Sequence, residues 1–210
     1  MAKSRPNFPL YLITDRKLTQ GRDICAVVEQ ALDGGVKAIQ LREKDLDGKE
    51  IFALADKLSV LCQRYDGKLF VNDRIDVALA VDAAGVQLGK ASLPIATARS
   101  LMGSEKLIGY STHSPEEAQQ AEGAGADFIL FGPVYFTSSK AAYGAPQGLA
   151  PLAETVTKVA LPVYAIGGIT AENLGQTMNT GIHGVALISA IVAADDPRAE
   201  AKNLLSLIAR

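Results

Sequence analysis

The stretches Pro162-Val-Tyr-Ala-Ile-Gly-Gly-Ile-Thr170 and Gly184-Val-Ala-Leu-Ile-Ser-Ala-Ile191 indicate how the whole chain is built. Each holds a short apolar, β-prone run, Val163–Ile166 or Val185–Ile188, that ends in small residues before a helical pattern. A strand that leads directly into a helix is typical of parallel βα units. The two stretches therefore predict two consecutive units of this kind.

The same order of strand, polar end and helix recurs upstream. The other predicted strands are Leu10–Ile13, Val36–Leu41, Leu69–Val71, Val86–Leu88, Leu107–Tyr110 and Phe128–Phe131. No hairpin signal separates these runs, so the eight units predict a parallel sheet closed into a single (β/α)₈ TIM barrel. The barrel is expected to be one domain, residues 1–210, with 1–7 as a flexible or extended N-terminal arm. The competing open, doubly wound sheet would require a Gly-rich loop after the first strand, where the chain has Thr14-Asp15-Arg16.

The composition is that of an ordinary globular protein, with 48% hydrophobic and 21% charged residues and a net charge of −2. The absence of a basic excess argues against a nucleic-acid or membrane partner. No apolar run approaches a membrane span or a secretory signal. Cys25 and Cys62 lack metal-ligand spacing and are interpreted as reduced thiols of a cytoplasmic protein. The sequence leaves open whether the chain is a monomer or a homodimer.

Polar and cationic residues follow nearly every predicted strand. The carboxyl ends of barrel strands share one rim, where active sites lie, and the loops after strands seven and eight commonly bind phosphate. Glycines and helix N-termini favour such anion binding. The cations at this rim exceed the need of one monophosphate, and a pyrophosphate beside a phosphate would use them. The rim residues are Arg42, Lys44, Asn72, Asp73, Lys90, Ser111, His113, Thr137, Ser138, Ser139, Lys140, Gly167, Gly168 and Ser189.

Each of these residues also has a purely structural interpretation. Arg42 and Lys44 could pair with Glu43 or Asp45. Asp73 could cap the short helix that follows it. His113 could be a helix-terminal residue, Lys140 could be solvated, and Gly167-Gly168 could simply end a strand. His183 precedes strand eight on the opposite rim and is interpreted as structural.

Taken in order, six motifs resemble the thiamine-phosphate synthase and thiazole tautomerase family, from Leu10 to the last helix. They are Gln40-Leu-Arg42-Glu-Lys44, Val71-Asn72-Asp73-Arg, Gly109-Tyr-Ser111-Thr-His113, Gly132-Pro-Val-Tyr-Phe-Thr137-Ser-Ser139-Lys140, Ala165-Ile-Gly-Gly168-Ile and Ile188-Ser189-Ala-Ile. By this resemblance a synthase joins 4-amino-2-methyl-5-hydroxymethylpyrimidine pyrophosphate to thiazole phosphate and releases pyrophosphate.

The resemblance also implies a role for each site residue. Arg42, Lys44, Asn72 and Lys140 would hold the pyrophosphate, and Asp73 would bind Mg²⁺. Gln40 would lie beside the pyrimidine and Ser111 near its amino group. Thr137 and Ser139 would face the thiazole, and Gly168, Ile188 and Ser189 its phosphate. Ser111, His113 and Lys140 are the candidates for the reacting centre.

One departure from the family pattern bears on the metal. Synthases of this family usually follow strand four with His-Leu-Gly-Gln and two acids, the second a Mg²⁺ ligand. This chain has Gln87-Leu-Gly-Lys90-Ala-Ser92, which places Ser92 at that ligand position. Mg²⁺ often needs only one or two carboxylates plus substrate phosphates, so Asp73 with the pyrophosphate could suffice.

The favoured interpretation is a Mg²⁺-dependent synthase. The first alternative is the metal-independent thiazole tautomerase, with His113 as the proton shuttle. The second is a non-catalytic regulatory barrel that binds phosphate ligands. The long polar connection Gly132–Gly148 is expected to act as a lid that excludes water.

Overall fold

The structure, a computed structural model, describes residues 6–137 and 145–209. Eight parallel strands pair in chain order, and the last pairs with the first, which confirms the closed (β/α)₈ barrel. The strands are β1 (Leu10–Ile13), β2 (Ala38–Leu41), β3 (Lys68–Asn72), β4 (Gly85–Leu88), β5 (Leu107–Thr112), β6 (Phe128–Phe131), β7 (Val163–Ile166) and β8 (Gly184–Leu187). Of the predicted N-terminal arm, residues 1–5 lie outside the described part of the chain, and Pro6 is buried.

Helices follow the strands and surround the barrel. They are α1 (Ile24–Asp33), α2 (Gly48–Arg64), α3 (Ile75–Ala80), α4 (Ile95–Met102), α5 (Pro115–Gly123), α6 (Leu149–Lys158), α7 (Ala171–Met178), α8 (Ser189–Val192) and α9 (Pro197–Ile208). A 3₁₀ turn, Arg16–Leu18, follows β1. None of these described helices is long and apolar enough to cross a membrane. Their inner faces and the outward side chains of the strands form the larger core.

Aromatic rings fill the lower half of the barrel interior. Phe8, which precedes β1 and is only 1% exposed, stacks on Tyr164 with ring centroids 5.0 Å apart. Its ring also contacts Tyr11, Phe70 and Phe128 at 5.4 to 5.8 Å. This cluster closes the end of the barrel opposite the candidate site and gives the rim above it a rigid base.

Two carboxamides lie above the aromatic cluster. Alternate strands of a barrel contribute to the same interior layer, each two residues further along. The observed registers therefore place Gln40 of β2 and Gln87 of β4 in one layer with Leu130 and Ala186. Both glutamines are 1% exposed. The next layer towards the carboxyl rim includes Asn72 and Ser111, so the interior becomes polar as it opens into the mouth.

Candidate active site

The loop after β2 is held by acidic residues that turn away from the neighbouring cations. The carboxylate of Glu43 accepts hydrogen bonds from the Arg16 backbone N–H at 3.0 and 3.2 Å and from its guanidinium at 3.2 Å. Asp45 pairs with Arg16 at 2.6 Å and with Lys17 at 2.9 Å. The hydrogen bond from Arg16 is the main cause that holds the pKa of Asp45 well below its ordinary value. The acids next to Arg42 and Lys44 are thus already neutralised by the loop after β1.

Arg42 and Lys44 remain available for an anion. The backbone N–H of Arg42 donates to Thr14 Oγ1 at 2.9 Å, which fixes the start of the loop. Within the described ranges, neither side chain forms an ion pair. The structure therefore rejects their interpretation as rim salt bridges to Glu43 or Asp45. Positive side chains at the mouth of a low-dielectric barrel attract anions.

Asp73 does not cap α3. That helix has Arg74 at its N-cap position and no side-chain cap. Asp73 has a left-handed backbone, with φ at +60°, and its N–H donates to the Gln87 carbonyl at 3.0 Å. Its Oδ2 accepts from Asn72 Nδ2 at 2.7 Å, and its Oδ1 accepts a short hydrogen bond from the Ser92 hydroxyl. The carboxylate is therefore held by the ends of β3 and β4.

Ser92 closes the turn after β4. Its backbone N–H donates to the Gly89 carbonyl at 2.9 Å, and its Oγ accepts from the Gly89 N–H at 2.7 Å. Lys90 lies exposed within this turn and forms no ion pair in the part of the chain that the structure describes. The serine at the usual acidic position thus connects the β4 turn to Asp73.

A cavity of about 330 Å³ opens beside these groups, with Lys44, Asn72 and Asp73 in its lining. A larger one of about 550 Å³ lies between the outer face of α1 and the start of α9. That cavity includes Glu29, Asp33, Asp195 and Asp196 against the one cation Arg198, which makes it unsuited to a phosphate. The rim cavity has two cations, Lys44 and Arg74, against two acids, Glu43 and Asp73, and Glu43 is already paired with Arg16, so it suits an anionic ligand better than the larger cavity does.

The end of β5 carries Ser111 and, just beyond it, His113. Ser111 is half-buried, and its Oγ accepts from Gln87 Nε2 at 3.1 Å. His113 is exposed, and its backbone N–H donates to Glu117 at 2.7 Å while its ring Nδ1 lies 3.0 Å from the same carboxylate. His113 directly precedes Ser114, the cap of α5, and Glu117 lies in the first turn of that helix, so the structure agrees with the interpretation of His113 as a helix-terminal residue with a satisfied ring. Ser111 faces the barrel mouth, whereas His113 is tied to the outer helix.

The opposite side of the mouth is formed by the ends of β7 and β8. Gly168 has φ at +64°, and a Cβ there would lie 2.5 Å from the Phe136 carbonyl, so only glycine fits. Ser189 is exposed at the first position of α8, where backbone N–H groups lack helical partners. Ile188 precedes it, half-buried. The predicted anion groups thus occupy two sides of one opening, β2–β4 and β7–β8.

Part of the predicted site falls outside the described residues. Thr137 is half-buried in the connection after β6, but Ser138, Ser139 and Lys140 are not described, and neither is the rest of the middle of the predicted lid Gly132–Gly148, residues 141–144. Sequence reasoning also missed Gln87 as a site residue. The sequence does contain a signal for Gln87: like Gln40, it is a glutamine within an otherwise apolar run that predicts a buried strand.

Comparisons with known proteins place the chain in a family. The model of the thiamine monophosphate synthase family matches residues 10–191. The chain belongs to this family. It is 45% identical over 201 residues to the thiamine-phosphate synthase of Desulfitobacterium hafniense strain Y51, covering 96% of this chain and 97% of the relative. It is 41% identical to that of Clostridium novyi strain NT, covering 96% and 98%.

A solved structure supports the same membership. Thiamine phosphate pyrophosphorylase from Pyrococcus furiosus superposes with a TM-score of 0.89 at 40% identity, covering 97% of this chain and 96% of that one. A 3-hexulose-6-phosphate synthase, at 18% identity and a TM-score of 0.69 over 95% of this chain and 99% of its own, shares the fold alone. The family resemblance inferred from the six motifs is therefore confirmed.

Proposed function

We propose that this protein is a thiamine-phosphate synthase, a transferase of thiamine biosynthesis. It joins 4-amino-2-methyl-5-hydroxymethylpyrimidine pyrophosphate to thiazole phosphate and releases pyrophosphate. The observation that carries this proposal is the position of Asp73, which Asn72 and Ser92 hold at a cavity lined by Lys44, a cation with no ion pair among the described residues. The names of the relatives agree with it.

The β2–β4 side of the mouth is assigned to the pyrophosphate. Arg42 and Lys44 supply positive charge that the nearby acids do not cancel, and Asn72 adds an amide. Lys140 belongs to this set by the family resemblance. The β7–β8 side is assigned to the phosphate of the thiazole, through Gly168, Ile188 and Ser189, with Thr137 and Ser139 beside the ring. Gln40 of β2, buried below the mouth, and Ser111 at the end of β5 are assigned to the pyrimidine.

The chemistry requires little from the protein beyond charge and position. Loss of pyrophosphate leaves a pyrimidine methyl cation, so cations that stabilise the leaving group lower the barrier. The thiazole nitrogen is itself the nucleophile, and no protein base is needed. The chain's task is to hold the two rings in line within the mouth.

The residues present fit Mg²⁺. The described residues contain no group of three His, Cys, Asp or Glu side chains that could hold a metal ion. Asp73, the Ser92 hydroxyl and the Asn72 amide nevertheless offer oxygen atoms, and Mg²⁺ usually keeps few protein ligands together with waters and substrate phosphates. When bound, Mg²⁺ would neutralise charge on the departing pyrophosphate. Asp73 is assigned as its main protein ligand.

The proposal is tested by product formation. Purified protein with both substrates and Mg²⁺ is expected to form thiamine phosphate and pyrophosphate, and a chelator is expected to stop it. Asp73→Ala should abolish coupling, whereas His113→Ala should lower it only in part. Asp82→Ala is the matched control, because Asp82 is 86% exposed and, like Asp73, has a left-handed backbone, and its ion pair among the described residues is with Lys106, away from the mouth.

Two other outcomes would refute the proposal in favour of the alternatives. A tautomerase would convert the thiazole carboxylate phosphate without metal, lose activity with His113→Ala and tolerate Asp73→Ala. A regulatory barrel would bind the ligands with no turnover.

We further propose a cytoplasmic location for the protein. Cys62 is buried and Cys25 forms no disulfide, as expected of reduced thiols.

A further inference from the structure

The amide of Gln87 lies in the polar layer below the mouth and is aimed at Ser111. Its Nε2 donates to Ser111 Oγ at 3.1 Å and lies 3.4 Å from the Leu88 carbonyl oxygen. A carbonyl oxygen can only accept, so the amide end beside it must be the NH₂ group. Gln87 is therefore the donor and Ser111 the acceptor, not the reverse.

This arrangement depends on Gly109, the register partner of Gln87 on β5. A Cβ at position 109 would lie 2.3 Å from Gln87 Oε1 and 2.4 Å from Phe128 Cζ. The oxygen is buried without a hydrogen-bond partner among the described residues. An apolar side chain would avoid that unfavourable burial, so an amide with a paired NH₂ group and an unpaired oxygen is a reason to look for a role beyond stability.

The consequence falls on the Ser111 hydroxyl. One of its lone pairs is occupied by Gln87, so its own hydrogen cannot point at the amide. No acceptor for that hydrogen is found in residues 6–137 and 145–209. Since Ser111 is half-buried at the mouth, the hydrogen is left for a ligand.

We propose that Gln87 is a positioning residue that makes Ser111 a hydrogen-bond donor to a ring nitrogen of the pyrimidine. A pyrimidine ring nitrogen accepts hydrogen bonds, whereas an aromatic amino group mainly donates them. This inference rests on the proposed function, because it takes the aminopyrimidine as the ligand. It adds to the earlier assignment of Ser111 the direction of its hydrogen bond and the residue that sets it.

The test is a double-mutant cycle on binding of the pyrimidine pyrophosphate, measured by titration calorimetry with Mg²⁺ and without thiazole phosphate. Gln87→Met keeps the volume but removes the donor, and it is expected to weaken binding about 10-fold, the worth of one hydrogen bond. In a Ser111→Ala background, Gln87→Met should have no further effect, because its action passes through Ser111. Gln87→His, which restores an N–H donor, should bind within about 3-fold of the unchanged protein.

Two further readouts separate positioning from a fold defect. Inorganic pyrophosphate should bind equally to the unchanged protein and to Gln87→Met. In steady state, Gln87→Met should raise KM about 10-fold and leave kcat within about 3-fold, as expected for a loss of uniform binding. Gln120→Met, on the exposed face of α5, is the matched control and should change neither.

Additive losses in the cycle, or equal weakening of inorganic pyrophosphate binding, would overturn the inference. So would full-strength binding by Gln87→Met. Failure of the proposed function is recognised separately: the unchanged protein would form no thiamine phosphate, while a coupled cycle would still uphold the role of Gln87. Product formation together with an uncoupled cycle would refute the role of Gln87 alone.

Discussion

Replacing Ser92 by aspartate tests how the chain binds Mg²⁺ at a site with one carboxylate. The Ser92 hydroxyl contacts Asp73 directly, so a carboxylate at position 92 would lie close to that of Asp73. Two like charges about 4 Å apart repel by about 1 kcal/mol in water and about 4 kcal/mol at an effective dielectric constant of 20. Because Asp73 is exposed, the lower value applies.

The repulsion should appear as a loss of stability that Mg²⁺ reverses. About 1 kcal/mol corresponds to a fall in Tm of about 2–4 °C for a chain of this size. Mg²⁺ between the two carboxylates removes the repulsion and gains a ligand, so its affinity should rise about 5- to 10-fold, given that 1.4 kcal/mol is a factor of ten. Ser92→Ala should do the opposite, weakening Mg²⁺ binding in the presence of pyrophosphate, because Asp73 loses the hydrogen bond that holds it.

The assay is calorimetric titration of Mg²⁺, with and without inorganic pyrophosphate, alongside thermal unfolding. Ser100→Asp on the outer helix α4 adds the same charge away from the mouth and should leave Mg²⁺ affinity unchanged. Turnover should rise with Ser92→Asp if the second carboxylate restores a missing ligand position. Unchanged Mg²⁺ affinity in Ser92→Asp, or equal gains in Ser100→Asp, would refute the reasoning.

Three further predictions concern the barrel interior and the thiols. Phe8→Ala should lower the free energy of unfolding by about 3–5 kcal/mol, measured by urea denaturation, because Phe8 packs on four other rings. Gly109→Ala should destabilise the fold by about 1–3 kcal/mol and weaken pyrimidine binding, since its Cβ would displace the Gln87 amide; unchanged calorimetric affinity would contradict this. Burial raises the pKa of Cys62 to about 12 and raises that of Cys25 less, so at pH 8 alkylation followed by mass spectrometry should modify Cys25 first and Cys62 only on unfolding.

The positions of the eight strands and the polar residues that end them could be read from the sequence. Both are local properties: a strand is a short apolar run, and a parallel barrel brings the carboxyl ends of its strands to one rim. This is why the sequence alone predicts that Arg42, Asn72, Ser111 and Ser189 lie at the same rim. The motifs around them also identified the family.

Pairing within the rim was decided only by the tertiary structure. The sequence offered Glu43 and Asp45 as neighbours of Arg42 and Lys44, yet they bind Arg16, 27 and 29 residues earlier in the chain. Asp73 could have capped α3, but the barrel brings Ser92 to its carboxylate instead. Which partner each carboxylate binds depends on the distances between neighbouring loops, and a local sequence pattern gives no information on those distances.

The buried amide of Gln87 is the clearest case. Its partner Ser111 is 24 residues away, and the space for its oxygen exists only because Gly109 lies opposite on the next strand. A sequence shows that a glutamine is polar and that a strand is apolar. Whether the glutamine is satisfied, orphaned or aimed at a ligand follows from the register and the packing around it, because hydrogen bonds in a closed barrel join residues far apart in the chain.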